Sequence, residues 1–267
     1  MTMTETPLED RTSHAQPPAS KKTAGALGAG WRALLIQLVV ILAAVGAVLT
    51  YVGIAPLSDT ERSTLNAGSL RQYTLEHLEL TFLAALLVLV IAIPLGVLLT
   101  RPAFRRASGP VIAVANAGQA APSIGLVVLL AALIPSGFWA AILALVVYST
   151  LPVLRNTMVG LRGVDQRLVE AGRGMGMSSA AVLFRIELPL AVPVMLAGVR
   201  TALVLLVGTA ALATFINGGG LGVLITTGVN LDLNPVLIVG ALLIALLALL
   251  IDWLGRVAEH VARPRGL

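Results

Sequence analysis

The sequence predicts an all-α integral membrane protein with about six transmembrane helices. Two features carry that expectation. Of its 267 residues, 57% are hydrophobic and only 12% charged, and the charges cluster between long uncharged runs. A soluble domain carries about 25% charged residues, and half that share cannot cover a soluble globule of this size. The mean hydropathy of +0.94 agrees.

Residues 1–30 are rich in Thr, Pro, Ala and Ser without apolar periodicity, and are read as a disordered tail. The uncharged run Ala33–Ser58 places a first span at 33–54. That run exceeds a signal-peptide core, so it is read as a retained helix. Pro56–Glu79, with Asp59, Glu61, Glu76 and Glu79, reads as a mildly acidic external linker before a second span at 80–99. Ala107–Leu154 is uncharged for 48 residues, enough for two crossings of about 20 residues each. They are placed at 111–133 and 138–154, parted by the turn signal Pro135-Ser136-Gly137. A fifth span follows at 190–214 and a sixth at 235–253. Trp31, Trp139 and Trp253 fall at span ends, as interfacial anchors do.

Orientation follows from lysine and arginine, which are retained on the cytoplasmic side. Of the 18 basic residues, 15 lie in the tail, in the segment from Arg101 to Arg106, in Arg155–Arg185 and in the last dozen residues. The other side holds Arg62 and Arg71, and Arg200 lies inside a span. Both termini are therefore expected in the cytoplasm of a cell with this protein in its plasma (inner) membrane. The isoelectric point near 10.4 reflects topology rather than nucleic-acid binding.

The composition also excludes chemistry. There is no cysteine, and the only lysines are Lys21 and Lys22, so no phosphate-binding loop with its lysine can form. His14, His77 and His260 are placed outside the spans, with no zinc-binding spacing among them. Arg200 and Asp252 are the only ionisable residues in the predicted spans, too few for a proton-driven carrier. No catalytic residue, metal or cofactor is expected.

The hydrophilic segment Arg155–Glu187 is patterned. Leu168, Ala171 and Met175, then Val182, Leu183 and Ile186, recur at three- and four-residue steps, the period of an amphipathic helix. Gly172, Gly174 and Gly176 interrupt it, each costing about 1 kcal/mol against alanine in a helix interior. Two short helices with a bend near Gly176 satisfy both signals, with Asp165 capping the first and Ser178 the second. Pro189 suits the first turn of the following span. On these grounds alone the segment could be a solvated helix lying on the membrane.

Its residues say more. Glu170-Ala171-Gly172, then Gly176, Ile186, Leu188 and Pro189, resemble the EAA signature of ABC importer permeases at every spacing. The one departure is Gly172 in place of the second alanine. Leu151–Thr157, Gly160–Asp165, Glu170–Met177, Glu187–Ala191, Ala197–Ala202 and Ala213–Ile216 are similar to the osmoprotectant branch, which imports glycine betaine, carnitine and choline. The resemblance spans roughly Tyr73–Arg256. It implies a type I importer permease domain at 73–256, after a tail at 1–30 and a first helix with external linker at 31–72, and before a cytoplasmic tail at 257–267.

The resemblance further implies partners: a second permease subunit, cytoplasmic ATPase subunits docked on the EAA loop, and an extracytoplasmic solute-binding protein, all in a lipid bilayer. Glu170 would meet the ATPase, Ala171, Gly172 and Gly176 would form a close-packed surface, and Arg173 would be a charged partner on the same helix. The same class with another solute (methionine, a sulfonate or a phosphonate), a secondary transporter or channel, and a membrane scaffold are the competing readings. Eleven aromatic residues are few for an internal cation–π cage. Asn116, Gln119 and Ser123 beside Pro122 either line a pore or bond between helices. Arg200 either lines a water-filled cavity or snorkels to the interface. Asn217-Gly218-Gly219-Gly220 is either an outer gate or a turn between spans five and six.

Overall fold

The computed structural model describes residues 24–135 and 137–262, so 1–23 of the tail expected at 1–30, and 263–267 of that expected at 257–267, lie outside the described residues. Helix α1 (Ala24–Ile54) starts inside the stretch expected to be tail. A short α2 (Asp59–Thr64) follows, closed by a capping box in which Ser58 and Glu61 satisfy each other's backbone N–H groups. Helix α3 (Ala67–Thr100) begins thirteen residues before the expected second span. Most of the linker is thus helical, because Asn66 caps Ser69 N–H and polar residues continue the helix outward.

The third expected span is a correction. It is two helices, α4 (Ser108–Ala120) and α5 (Ser123–Leu133), bent by 99° at the break. Pro122 bars its predecessor from helical backbone angles, and Ala121 is extended at φ −61°, ψ 142°. Hydropathy, which locates spans, carries no information on such a bend. The remaining elements are α6 (Gly137–Arg162), α7 (Gln166–Gly174), α8 (Ser179–Val182), α9 (Leu188–Ala210), α10 (Gly222–Asn230) and α11 (Asn234–Ala262). Among the described residues, five helices are long and apolar enough to cross a membrane, and the bent pair makes a sixth if counted as one span. Helix α11 continues to Ala262, through part of the expected C-terminal tail.

Helix α6 is the hub, packed along both α9 and α3. The main core joins Leu80, Val88 and Leu99 of α3, Leu145, Val153 and Leu154 of α6, and Ala202 and Leu206 of α9. Small residues let these backbones approach closely. A Cβ on Gly198 would lie 2.8 Å from the Pro152 carbonyl oxygen, and one on Gly160 would lie 3.0 Å from that of Ala191. A second core, with Val207, Leu224, Val236 and Val239, joins α9, α10 and α11. Helix α1 leans on α11, where Trp253 Nε1 donates to the Leu34 carbonyl at 2.8 Å and Trp31 meets His260 edge to face. Trp253 is thus an interhelical tie as well as a span-end residue.

Candidate functional site: the coupling loop and the faces beside it

The segment between α6 and α9 folds as its local chemistry dictates. Asp165 accepts a hydrogen bond from Arg167 N–H at the start of α7, and Ser178 accepts one from Ala181 N–H at the start of α8. Helix α7 stops in a Schellman motif: Gly176 N–H donates to Arg173 O and Met177 N–H to Gly172 O, with Gly176 in the left-handed region at φ +83°. Only glycine adopts that angle without strain. Residues Leu183–Glu187 then form one π-helical turn that runs directly into α9, whose first turn holds Pro189.

A small core of its own holds this loop. Val169, Val182 and Leu161 pack with Val164, Ala191 and Met195, joining α7 and α8 to the ends of α6 and α9. Gly172 belongs to this interior. Its missing Cβ would sit 2.6 Å from Ile186 Cδ1, so its face is turned inward and filled by Ile186. This corrects the expectation that Gly172 contributes to an outward surface. Its smallness serves the packing of the loop on itself.

The outward face is different. Glu170, Ala171, Arg173 and Gly176 are exposed. So are Leu168 at 47%, Met175 at 76% and Phe184 at 67%. A compact, capped loop therefore exposes large apolar side chains together with the charged Asp165, Arg167, Glu170, Arg173 and Arg185. Exposed apolar patches rimmed by polar groups mark interaction surfaces.

An ion pair adds to the packing that holds the loop. Arg101, at the end of α3, pairs through Nη2 with Glu187 Oε2 in the π-helical turn, where Glu187 is only 7% exposed. Sequence reading quoted Glu187 without giving it this role. A pairing across 86 positions leaves no local signal.

The other predicted residues fall in three places. Asn116 and Gln119 share one face of α4, and Asn116 Oδ1 accepts a hydrogen bond from Arg155 Nη2 at 2.9 Å. Ser123 opens α5 beyond the bend. Arg200 lies between α9 and α11, 3.2 Å from Glu259 Oε1 and 3.7 Å from Asp252 Oδ1, its stem over Gly255. That pairing accounts for the intramembrane charge by an ion-pair cluster joining two helices.

At the opposite end, Asn217–Gly220 is a turn with Asn217, Gly219 and Gly220 at positive φ. It rests against the side of α3: Gly220 N–H donates to Glu76 Oε2 at 3.0 Å, and Gln72 Nε2 donates to the other oxygen of Glu76 at 2.8 Å. His77, expected in an external linker, is instead fully buried beneath this turn and bonds Val207 O at 2.9 Å.

Residues 92–263 match the family model described as binding-protein-dependent transport system inner membrane component. The chain is 43% identical over 202 residues to a choline transport system permease protein of Bacillus subtilis, covering 76% of this chain and 92% of that one. It is 42% identical, with the same coverage, to a glycine betaine/carnitine/choline transport system permease protein of that organism. An osmoprotectant import permease protein of Salmonella typhimurium is 41% identical over 207 residues, covering 76% and 95%. Among solved structures, a chain of the MetNI methionine ABC transporter in an inward-facing conformation superposes with a TM-score of 0.66. It is 25% identical and covers 78% of this chain and 100% of that chain.

Proposed function

The chain belongs to the family of binding-protein-dependent transport system inner membrane components, and from that premise we propose that it carries quaternary ammonium osmoprotectants. It is a permease subunit of an ABC importer. The solute class, glycine betaine, carnitine or choline, is inferred from what its curated relatives carry. A binding protein outside delivers the solute, separate ATPase subunits inside supply the energy, and a second permease subunit completes the pore.

The exposed apolar side chains of the loop, Leu168, Ala171, Met175 and Phe184, beside the charged Arg167, Glu170 and Arg173, are the observation that carries the coupling assignment. Such side chains on a capped element suit a partner groove, and docking would remove their apolar surface from water. Ile186, Leu188 and Pro189 carry the loop into α9 without a flexible joint. Arg101 and Glu187 tie it to α3, so a displacement imposed on the loop moves two long helices together. That is the requirement for a rigid-body switch between access states. Both termini are assigned to the cytoplasm, with the turn at Asn217–Gly220 on the outer side as a gate resting on α3. Asn116, Gln119 and Ser123 are assigned to the solute path.

Uptake of labelled glycine betaine, choline and methionine, measured with the cognate ATPase and binding protein in cells lacking other importers, tests the assignment. Betaine or choline uptake that stops without either partner is expected. Methionine uptake alone would leave the family standing and remove the solute class. Uptake persisting without the ATPase would remove the coupling role.

A further inference from the structure

Arg155 has no assigned role, yet its position is unusual for a cation. It lies seven residues before the end of α6 at Arg162, about 10 Å inside that end at 1.5 Å per residue. Asn116, which accepts its hydrogen bond, lies eight residues, about 12 Å, inside the start of α4. Both helix ends carry arginines, Arg105 and Arg106 before α4 and Arg162 on α6, so along each helix the pair lies inward of these basic residues. Arg155 is nevertheless exposed.

A charge at membrane depth that faces lipid is strongly disfavoured unless paired. The other inward arginine, Arg200, meets that demand with Asp252 and Glu259. Among the described residues, Arg155 forms no ion pair; its hydrogen-bond partner is a neutral amide. Its free N–H groups must therefore meet water, headgroups or a solute rather than hydrocarbon. Gln119 continues the same polar face one turn farther along α4. Asn116 engages one N–H of the guanidinium and fixes its orientation, leaving the rest of a planar fork free. An oriented, uncompensated guanidinium matches a carboxylate, which it can hold through two parallel hydrogen bonds.

We propose that Arg155, oriented by Asn116, contacts the carboxylate of zwitterionic solutes in the translocation path and favours them over a solute that is only a cation. The proposal rests on the osmoprotectant reading above. Glycine betaine and carnitine carry a carboxylate beside the quaternary ammonium, whereas choline has none and is repelled by the same charge. Asn116 is a positioning residue in this scheme.

The test is the ratio of betaine to choline uptake by the complete importer, with the amount of each variant in the membrane measured alongside. Arg155→Gln should lower that ratio about tenfold, the scale of one charged hydrogen-bonded contact. Arg155→Lys, which keeps the charge and loses the fork, should give an intermediate ratio. Should the glutamine variant not reach the membrane, the lysine variant decides, because a wild-type ratio there overturns the role of the fork. Equal loss of both solutes at normal membrane levels, or an unchanged ratio in Arg155→Gln, would also overturn the proposal. Wild-type complex that carries neither solute would remove the osmoprotectant reading itself, before any variant is compared.

Discussion

At the scale of single residues, the coupling loop contains two glycines with opposite expectations. Gly176 holds φ +83° at the end of α7, where a side chain costs about 1–2 kcal/mol. Gly174, two residues earlier, has open space where its Cβ would be and ends a helical stretch. Gly176→Leu should therefore destabilise the loop and reduce co-purification of the ATPase with the permease. Gly174→Ala should leave both unchanged or strengthen the helix by about 0.5–1 kcal/mol. Thermal unfolding of the detergent-purified complex and the ATPase yield measure the pair, and equal effects would remove the Schellman cap as the cause. The Arg101–Glu187 pair invites a similar contrast. Glu187 is buried, so Arg101→Ala strands a carboxylate and should cost about 1.5–3 kcal/mol, the worth of a hydrogen bond to a charged group. More tellingly, ATP consumed per solute moved should rise, because a loop loosened from α3 no longer drives it. An unchanged ratio with only lower stability would make the pair a staple and no part of the lever.

At the scale of elements, what was legible in the sequence depended on how local its cause was. The caps Asp165 and Ser178 and the bend at Gly176 come from interactions within a few residues, and each stands where the residue chemistry placed it. The 99° break between α4 and α5 also has a local cause in Pro122, but the span was drawn through it because the apolar run continues on both sides. Helix α10 was missed since the preceding glycines suggested a turn, while Gly222–Asn230 gains its stability from packing on α11 through Leu224 and Val236. His77 shows the limit most clearly: its burial depends on Val207 and Gly220, both more than a hundred positions away. Helix α4 offers a direct test of the proposed path, since the chain has no cysteine of its own. Single cysteines at Asn116 and Gln119 should react with a charged, water-soluble maleimide in the inward-open complex. One at Val114, which is 74% exposed on a different part of the same helix, should react at least tenfold more slowly in lipid, because thiolate formation needs water. Equal rates would place the polar face of α4 away from the path.

At the scale of the whole molecule, the positions of arginines decide how the bundle sits in the membrane. Arg101, Arg105, Arg106, Arg162, Arg167, Arg173 and Arg185 all belong to the segments that flank the coupling loop or build it. Arg62 and Arg71 belong to α2 and the start of α3, at the other end of α3 from Arg101. Because basic residues stay on the cytoplasmic side, the proposed orientation turns the loop to the cytoplasm, where ATP is, and the Glu76–Gly220 contact outward, where a binding protein would dock. The two proposed functional ends therefore follow from one charge asymmetry, and a single measurement can separate it from the solute assignment. A cytoplasm-active reporter fused after Ala262 should be active, and the same reporter inserted after Ser58 should be silent. A reporter active only outside should give the reverse pattern. Identical behaviour at both sites would mean that an odd number of crossings does not separate them, contradicting the orientation whatever solute the complex carries. The bent pair α4–α5 bears directly on this outcome. Among the described residues, helices α1, α3, α6, α9 and α11 are the five single helices long and apolar enough to cross, and Ser58 lies after the first. If α4 and α5 together cross, five spans separate the two sites and the reporters differ. If the pair instead enters and leaves by one face, four spans separate them and the reporters agree.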